Sequence, residues 1–195
     1  STGNHGNNFC DNLNAAAGNS ITCSKSCDER GCIADAHPTT LFTCGDTVTE
    51  SCTFNFDLYC RGSDGLKVGA DGITIDGNGY RLINSYSPPG WYVRGIGNSG
   101  YDNGTVKDLT IKKFYRGIYL YNHADGNKIK GCTIDDNNYG VYISNSKNNQ
   151  LLPIIRKPLP PKYNYIVNNG RGIYLSNADD NLISDSYVNG NRVEG

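Results

Sequence analysis

Gly117-Ile118-Tyr119-Leu120 returns as Gly140-Val141-Tyr142-Ile143 and again as Gly172-Ile173-Tyr174-Leu175. Six residues ahead of each of these glycines stands an isoleucine: Ile111, Ile134 and Ile166. The glycines step by 23 and then 32 residues, and the longer step contains a Pro-rich insertion. A recurring unit of this length, built from short β-branched runs, marks a solenoid, in which one coil cannot bury its apolar face without its neighbours.

Working outward, Gly45, Gly65, Gly95, Gly117, Gly140 and Gly172 fall in one column. Within a coil, Ile118 and Leu120 point one way and Tyr119 the other, as a strand requires. Asn122, Asp125 and Gly126 then make a turn. A second short strand follows near Ile129, and a third at Cys132-Thr133-Ile134. Three strands per coil, turned by Asn and Gly that tolerate positive φ, predict an all-β, single-stranded parallel β-helix of about 5–6 coils over residues 45–195. The stacking predicts three interior ladders: Ile118–Val141–Ile173, Leu120–Ile143–Leu175 and Ile111–Ile134–Ile166–Val188. Insertions near 84–92 and 152–161 break the period. Four of the seven prolines lie in the second, so that segment must leave the sheet. It is expected to pack on the solenoid flank or on a partner.

Residues 1–44 are rich in Asn, Gly and Cys without sustained period, and read as an irregular, disulfide-stapled N-terminal cap. Cys10, Cys23, Cys27, Cys32, Cys44, Cys52 and Cys60 are the disulfide candidates. Their spacings lack the paired knuckles of common zinc sites. Cys132 stands alone at an inward position and reads as a buried free thiol, which leaves an odd number near the cap. One of those seven is then free or bonded to another chain.

Eighteen basic and nineteen acidic residues give a net charge of −1, which argues against nucleic acid as a partner. No apolar run approaches the roughly 18–20 residues of a membrane span. Cysteine usage, the absence of methionine and a start at Ser1 fit an extracellular or cell-surface product, either mature or a fragment.

The phrases DGITIDGNGYRL, RGIYLYNHADGNKIKGCTIDDNNYGVYISNSKNN and NGRGIYLSNADDNLI resemble the repeats of the right-handed parallel β-helix superfamily. That superfamily includes pectate lyases, mannuronan epimerases and β-helix surface proteins labelled copper-binding for their similarity to an accessory factor of nitrous-oxide reductase. The resemblance implies a right-handed coil over about residues 45–193. It also implies where chemistry would sit: on the outer face of one sheet, with clustered carboxylates, often calcium, and a proton-abstracting base.

The outward positions of the first-strand sheet are Lys67, Gly97, Tyr119, Tyr142 and Tyr174, and no acidic residue joins them. Asp135-Asp136 and Asp179-Asp180 read as solvated turn acids. Copper would need convergent His, Cys and Met, whereas His5, His37 and His123 are scattered. No catalytic residue, resident metal or cofactor is therefore assigned, with calcium at most adventitious. Tyr119, Tyr142 and Tyr174 form an aromatic stripe beside Arg94, Arg116 and Arg171, each of which precedes a column glycine. Rings that stack on sugars and guanidinium groups that pair with carboxylates suit an acidic polysaccharide. Alternatively the tyrosines serve strand propensity and stack on one another, or meet a protein. Asn103-Gly104-Thr105 is a candidate N-glycosylation sequon.

The final coil ends where a new first strand would start, and an open coil edge is a pairing template. The leading expectation is a non-catalytic structural subunit that joins copies of itself head-to-tail into a filament or surface layer. The alternative is a polysaccharide-binding or polysaccharide-modifying protein, lyase- or epimerase-like, working at the tyrosine face.

Overall fold

The computed structural model describes residues 21–23, 40–86 and 92–192. Among these, regular structure is entirely β-strand, and no helix is long and apolar enough to cross a membrane. β1 (Ile21–Cys23) and β2 (Thr40–Phe42) pair antiparallel. This is regular structure within a segment whose sequence reads as irregular. Residues 1–20 and 24–39 lie outside the described residues.

Six coils follow, each with three strands. The first is β3 (Thr47–Val48), β4 (Cys52–Thr53) and β5 (Leu58–Cys60). The second is β6 (Leu66–Val68), β7 (Thr74–Asp76) and β8 (Arg81–Asn84), and the third β9 (Arg94–Ser99), β10 (Thr105–Lys107) and β11 (Thr110–Lys112). Next come β12 (Arg116–Tyr121), β13 (Lys128–Lys130) and β14 (Thr133–Asp135), then β15 (Tyr139–Ser144), β16 (Gln150–Leu152) and β17 (Asn164–Val167). The sixth is β18 (Arg171–Ser176), β19 (Leu182–Ile183) and β20 (Ser186–Asn189). Each strand pairs in parallel with its counterpart in every adjacent coil, giving three six-stranded sheets around one core.

The ladders take the expected register. Ile111, Ile134, Ile166 and Val188 are successive partners on the third sheet, and Ile118, Val141 and Ile173 on the first. Ile111, Ile118, Ile134, Ile143 and Ile166 are wholly buried. Fully burying such a side chain is worth about 1.5–3 kcal/mol. Alternation along β12 sends Ile118 and Leu120 inward and leaves Tyr119 and Tyr121 outside.

The corners explain the glycines and asparagines. At the corner entering the first sheet, a Cβ on Gly95, Gly117 or Gly140 would lie 2.5–2.6 Å from the carbonyl oxygen of the next column glycine. Only a residue without a side chain permits that approach. At the corner leaving this sheet, Gly100, Asn122, Asn145 and Asn177 all take positive φ, the left-handed backbone that Gly and Asn tolerate. Other asparagines turn inward. The Asn137 side-chain oxygen accepts from the Phe114 amide at 2.9 Å, Asn169 from Asn137 at 3.0 Å, and Asn191 from Asn169 at 2.9 Å. A second ladder runs Gly104, Asn127, Asn149, Asn181 in the same fashion, at 2.8, 2.8 and 2.9 Å.

Cys44 and Cys60 form a disulfide. Cys52 leaves the set of disulfide candidates, because it is a free, buried thiol, in keeping with the odd count of seven. Alternation in β4 turns it into the core opposite Ile75 and leaves Thr53 outside. Cys132 is free and wholly buried, as its inward position implies, and burial pushes its thiol up to about 12. The side chains of Cys10, Cys23, Cys27 and Cys32 lie outside the description.

The Pro-rich insertion leaves the sheet between β16 and β17 and returns through an antiparallel bridge, Ile154 to Lys162. Its base docks on the flank. Ile154 covers Gly131, and Lys162 and Arg156 both reach the Asp108 carboxylate. Its outer part leaves Ile155 and Leu159 each 64% exposed.

Replacing Ile134 by Ala should lower unfolding free energy by about 2–5 kcal/mol, since a cavity opens between Ile111 and Ile166. Thr133→Ala, on the outward side of the same strand, should cost less than about 1 kcal/mol. Equal losses in denaturant titrations would contradict this register.

The thiols give a second check. Cys52 and Cys132 should resist iodoacetamide in the folded protein and react once it is denatured, even without reductant. Cys44 and Cys60 should react only after reduction. Peptide mass mapping reads both steps, and alkylation of native Cys132 would refute its interior position.

Candidate functional site

Outward side chains are positioned by register, so a motif repeated along the chain becomes a stripe along the axis. On the first sheet Tyr119 pairs with Gly97 on one side and Tyr142 on the other, and Tyr142 pairs with Tyr174. Arg94, Arg116, Tyr139 and Arg171 form the adjoining row. All six candidate binding residues therefore lie on one face, across β9, β12, β15 and β18.

The face is larger than the sequence pattern indicates. Tyr121, beside Tyr119, and Tyr139, which takes the place of an arginine in its coil, belong to it by the repeat, and Tyr92 and Tyr115 join it. Ring centroids lie 6.0 Å apart for Tyr92–Tyr115, 5.7 Å for Tyr115–Tyr139 and 5.3 Å for Tyr139–Tyr142. Tyr119 stacks on Tyr121 at 4.3 Å, nearly parallel, and tilts against Tyr142 at 4.9 Å. Tyr142 meets Tyr174 edge-on at 4.9 Å. Tyr92 and Tyr115 escaped the pattern because they precede Gly95 and Gly117 by three and two residues, off the repeated motif. The only signal was the local richness in Tyr and Arg of Trp91-Tyr92-Val93-Arg94 and Tyr115-Arg116.

The three arginines differ. Arg94 donates to the Tyr121 hydroxyl at 2.7 Å and lies 3.7 Å from the Asp64 carboxylate. Arg171 donates to the Tyr139 hydroxyl and lies over the Tyr139 and Tyr174 rings. Arg116 sits among four rings, 4.6 Å from the centroid of Tyr119, 5.2 Å from Tyr115 and Tyr142, and 5.5 Å from Tyr92. Burial, then the neighbouring Tyr119 and Tyr174, push the Tyr142 phenol above its ordinary value, partly opposed by Arg116. The ring therefore stays neutral, able to stack and to donate a hydrogen bond.

Other candidate positions lie elsewhere. Asp135 is not a free turn acid, since it ends β14 and pairs with Lys112 at 2.7 Å. Burial alone would raise its carboxyl, but the Lys112 ammonium and the Asn168 amide outweigh that and hold it below the ordinary range. Asn103 is exposed in the corner between β9 and β10 with φ of 57°. His123 is exposed at a corner, and His5 and His37 lie outside the described residues. Among the described residues, no three His, Cys, Asp or Glu side chains converge as metal ligands.

Residues 47–195 match the model of the right-handed β-helix region. The chain belongs to the right-handed β-helix family. That match covers all six coils and supplies the hand that spacing leaves open. No curated protein and no solved structure matched significantly.

Proposed function

We propose that this chain is a non-catalytic, extracellular β-helix that binds polysaccharide on its tyrosine–arginine face. One observation carries the reading: seven tyrosines and three arginines form a continuous surface over four coils, with Asp64 as the carboxylate at its edge. Four rungs at about 4.8 Å span about 14 Å, room for a short run of sugar rings. Tyrosines supply large, stiff, amphipathic contact area at low entropic cost. Rings packed on one another are already ordered, so a ligand need not immobilise them.

Binding should be measured by affinity electrophoresis in polygalacturonate, dextran sulfate and dextran. Tyr142→Ala, which removes the central ring, should weaken retention at least tenfold, about 1.4 kcal/mol. Lys128→Ala, on the second sheet, is the control. If no polymer retards the wild-type chain, the tyrosines serve only one another and the reading fails.

Head-to-tail assembly of copies is a second reading, favoured by the sixth coil. There Leu175, Leu182, Ile183, Tyr187 and Val188 are 43–52% exposed, and β18–β20 have no strand partner on their outer side among the described residues. Further chain or a second copy would bury the same surface. Electron micrographs of the purified chain separate the two readings. Ordered polymers support assembly, and monomers that still bind polysaccharide leave glycan recognition alone.

A further inference from the structure

We infer that Arg116 selects the charge of the ligand, seating an oxyanion carried on a sugar, either a uronate carboxylate or a sulfate ester. This rests on the glycan reading and assigns its specificity to one of three similar arginines. Arg94 and Arg171 have partners for their donors in the Asp64 carboxylate and the Tyr121 and Tyr139 hydroxyls. Among the described residues Arg116 has no ion pair, and its Nε is buried without an acceptor. Buried donors are nearly always satisfied, so an unmet one inside a candidate site points to a missing acceptor.

The surroundings explain why that acceptor should be anionic. A guanidinium has two flat faces and an edge of five donors. Tyr92, Tyr115, Tyr119 and Tyr142 surround this one, favouring cation–π contact and thinning the water that would screen its charge. An oxyanion meeting the donor edge gains charge-assisted hydrogen bonds about twice as strong as those to a neutral sugar hydroxyl.

Tyr92 supports the assignment independently. Its φ of 79° is a left-handed conformation rare for a bulky residue, and the residue is 63% exposed. Such backbone persists where the surroundings enforce it and clusters at ligand sites. Here it sets a ring against Arg116, 5.5 Å from the guanidinium.

The test compares wild type with Arg116→Gln, Arg116→Lys, Arg94→Gln and Tyr142→Ala. Dissociation constants are measured for polygalacturonate, dextran sulfate and dextran at two ionic strengths, with melting curves as a check of folding. Arg116→Gln should lose at least tenfold in affinity for an anionic polymer and most of the salt dependence, while Arg94→Gln, also on the binding face, loses less than Arg116→Gln and keeps the salt dependence. Loss confined to polygalacturonate identifies a carboxylate, and loss confined to dextran sulfate a sulfate ester.

Arg116→Lys keeps the charge but not the fork, and should fall between wild type and Arg116→Gln. Should the Gln variant fail to fold, the Lys variant decides, and wild-type affinity in it for both anionic polymers overturns the seat. If Arg116→Gln folds and stays within threefold of wild type while Tyr142→Ala loses binding, glycan recognition stands and charge selection by Arg116 falls. Equal losses at Arg94 and Arg116 likewise overturn it. A wild-type chain that holds none of the polymers sinks both.

Discussion

The corner backbone is the constraint on which the rest depends. Parallel pairing satisfies N–H and C=O groups along each strand, but three corners per coil turn the chain while it still encloses a core. Their amides need acceptors that water cannot supply. Asn127, Asn137, Asn149 and Asn169, all buried, provide them, each accepting from the coil before it. An unmet buried amide costs about 1–3 kcal/mol, so the gain repeats along both ladders. The glycine column complements this by letting adjacent corners approach within distances no Cβ allows.

Regular corners hold register, and register makes the surface. Because Tyr119, Tyr142 and Tyr174 hold the same place in successive coils, their rings meet at 4.9 Å centroid spacings without any element devoted to bringing them together. The second and third sheets carry other stripes under the same rule. On the third sheet the Lys112–Asp135 pair sits in one such stripe, which is why that acid belongs to the scaffold. The two insertions are accommodated at strand ends, where extra residues leave the ladder intact.

The solenoid was legible because its signal is local and repeated. Gly117, Gly140 and Gly172 recur with an isoleucine six residues before each, and alternation within GIYL assigns inside and outside. The asparagines were legible only in part. Asn122, Asn145 and Asn177 have the positive φ that turn chemistry implies, but Asn137 and Asn169 look the same in sequence and point inward. Polarity does not reveal that difference, since it depends on an amide one coil away. Which of the seven cap-side cysteines stays free was illegible for a related reason. Cysteine density near the cap suggests bonding, whereas the two-residue β4 turns the Cys52 thiol into the core.

The sequence by itself determined the coil, the three ladders and the candidate stripe of Tyr119, Tyr142 and Tyr174 with Arg94, Arg116 and Arg171. Period and alternation encode these directly. Tertiary structure alone decided which arginine has a buried donor without an acceptor among the described residues, and that Tyr92 and Tyr115 join the stripe. Arg94 meets Asp64 and Tyr121 at separations of 30 and 27 residues, and Arg171 meets Tyr139 across 32. Tyr92 reaches Arg116 only because the chain leaves an insertion with left-handed backbone at that point. Such contacts form between coils, where distance along the axis replaces distance along the chain, and a repeat pattern carries no record of them.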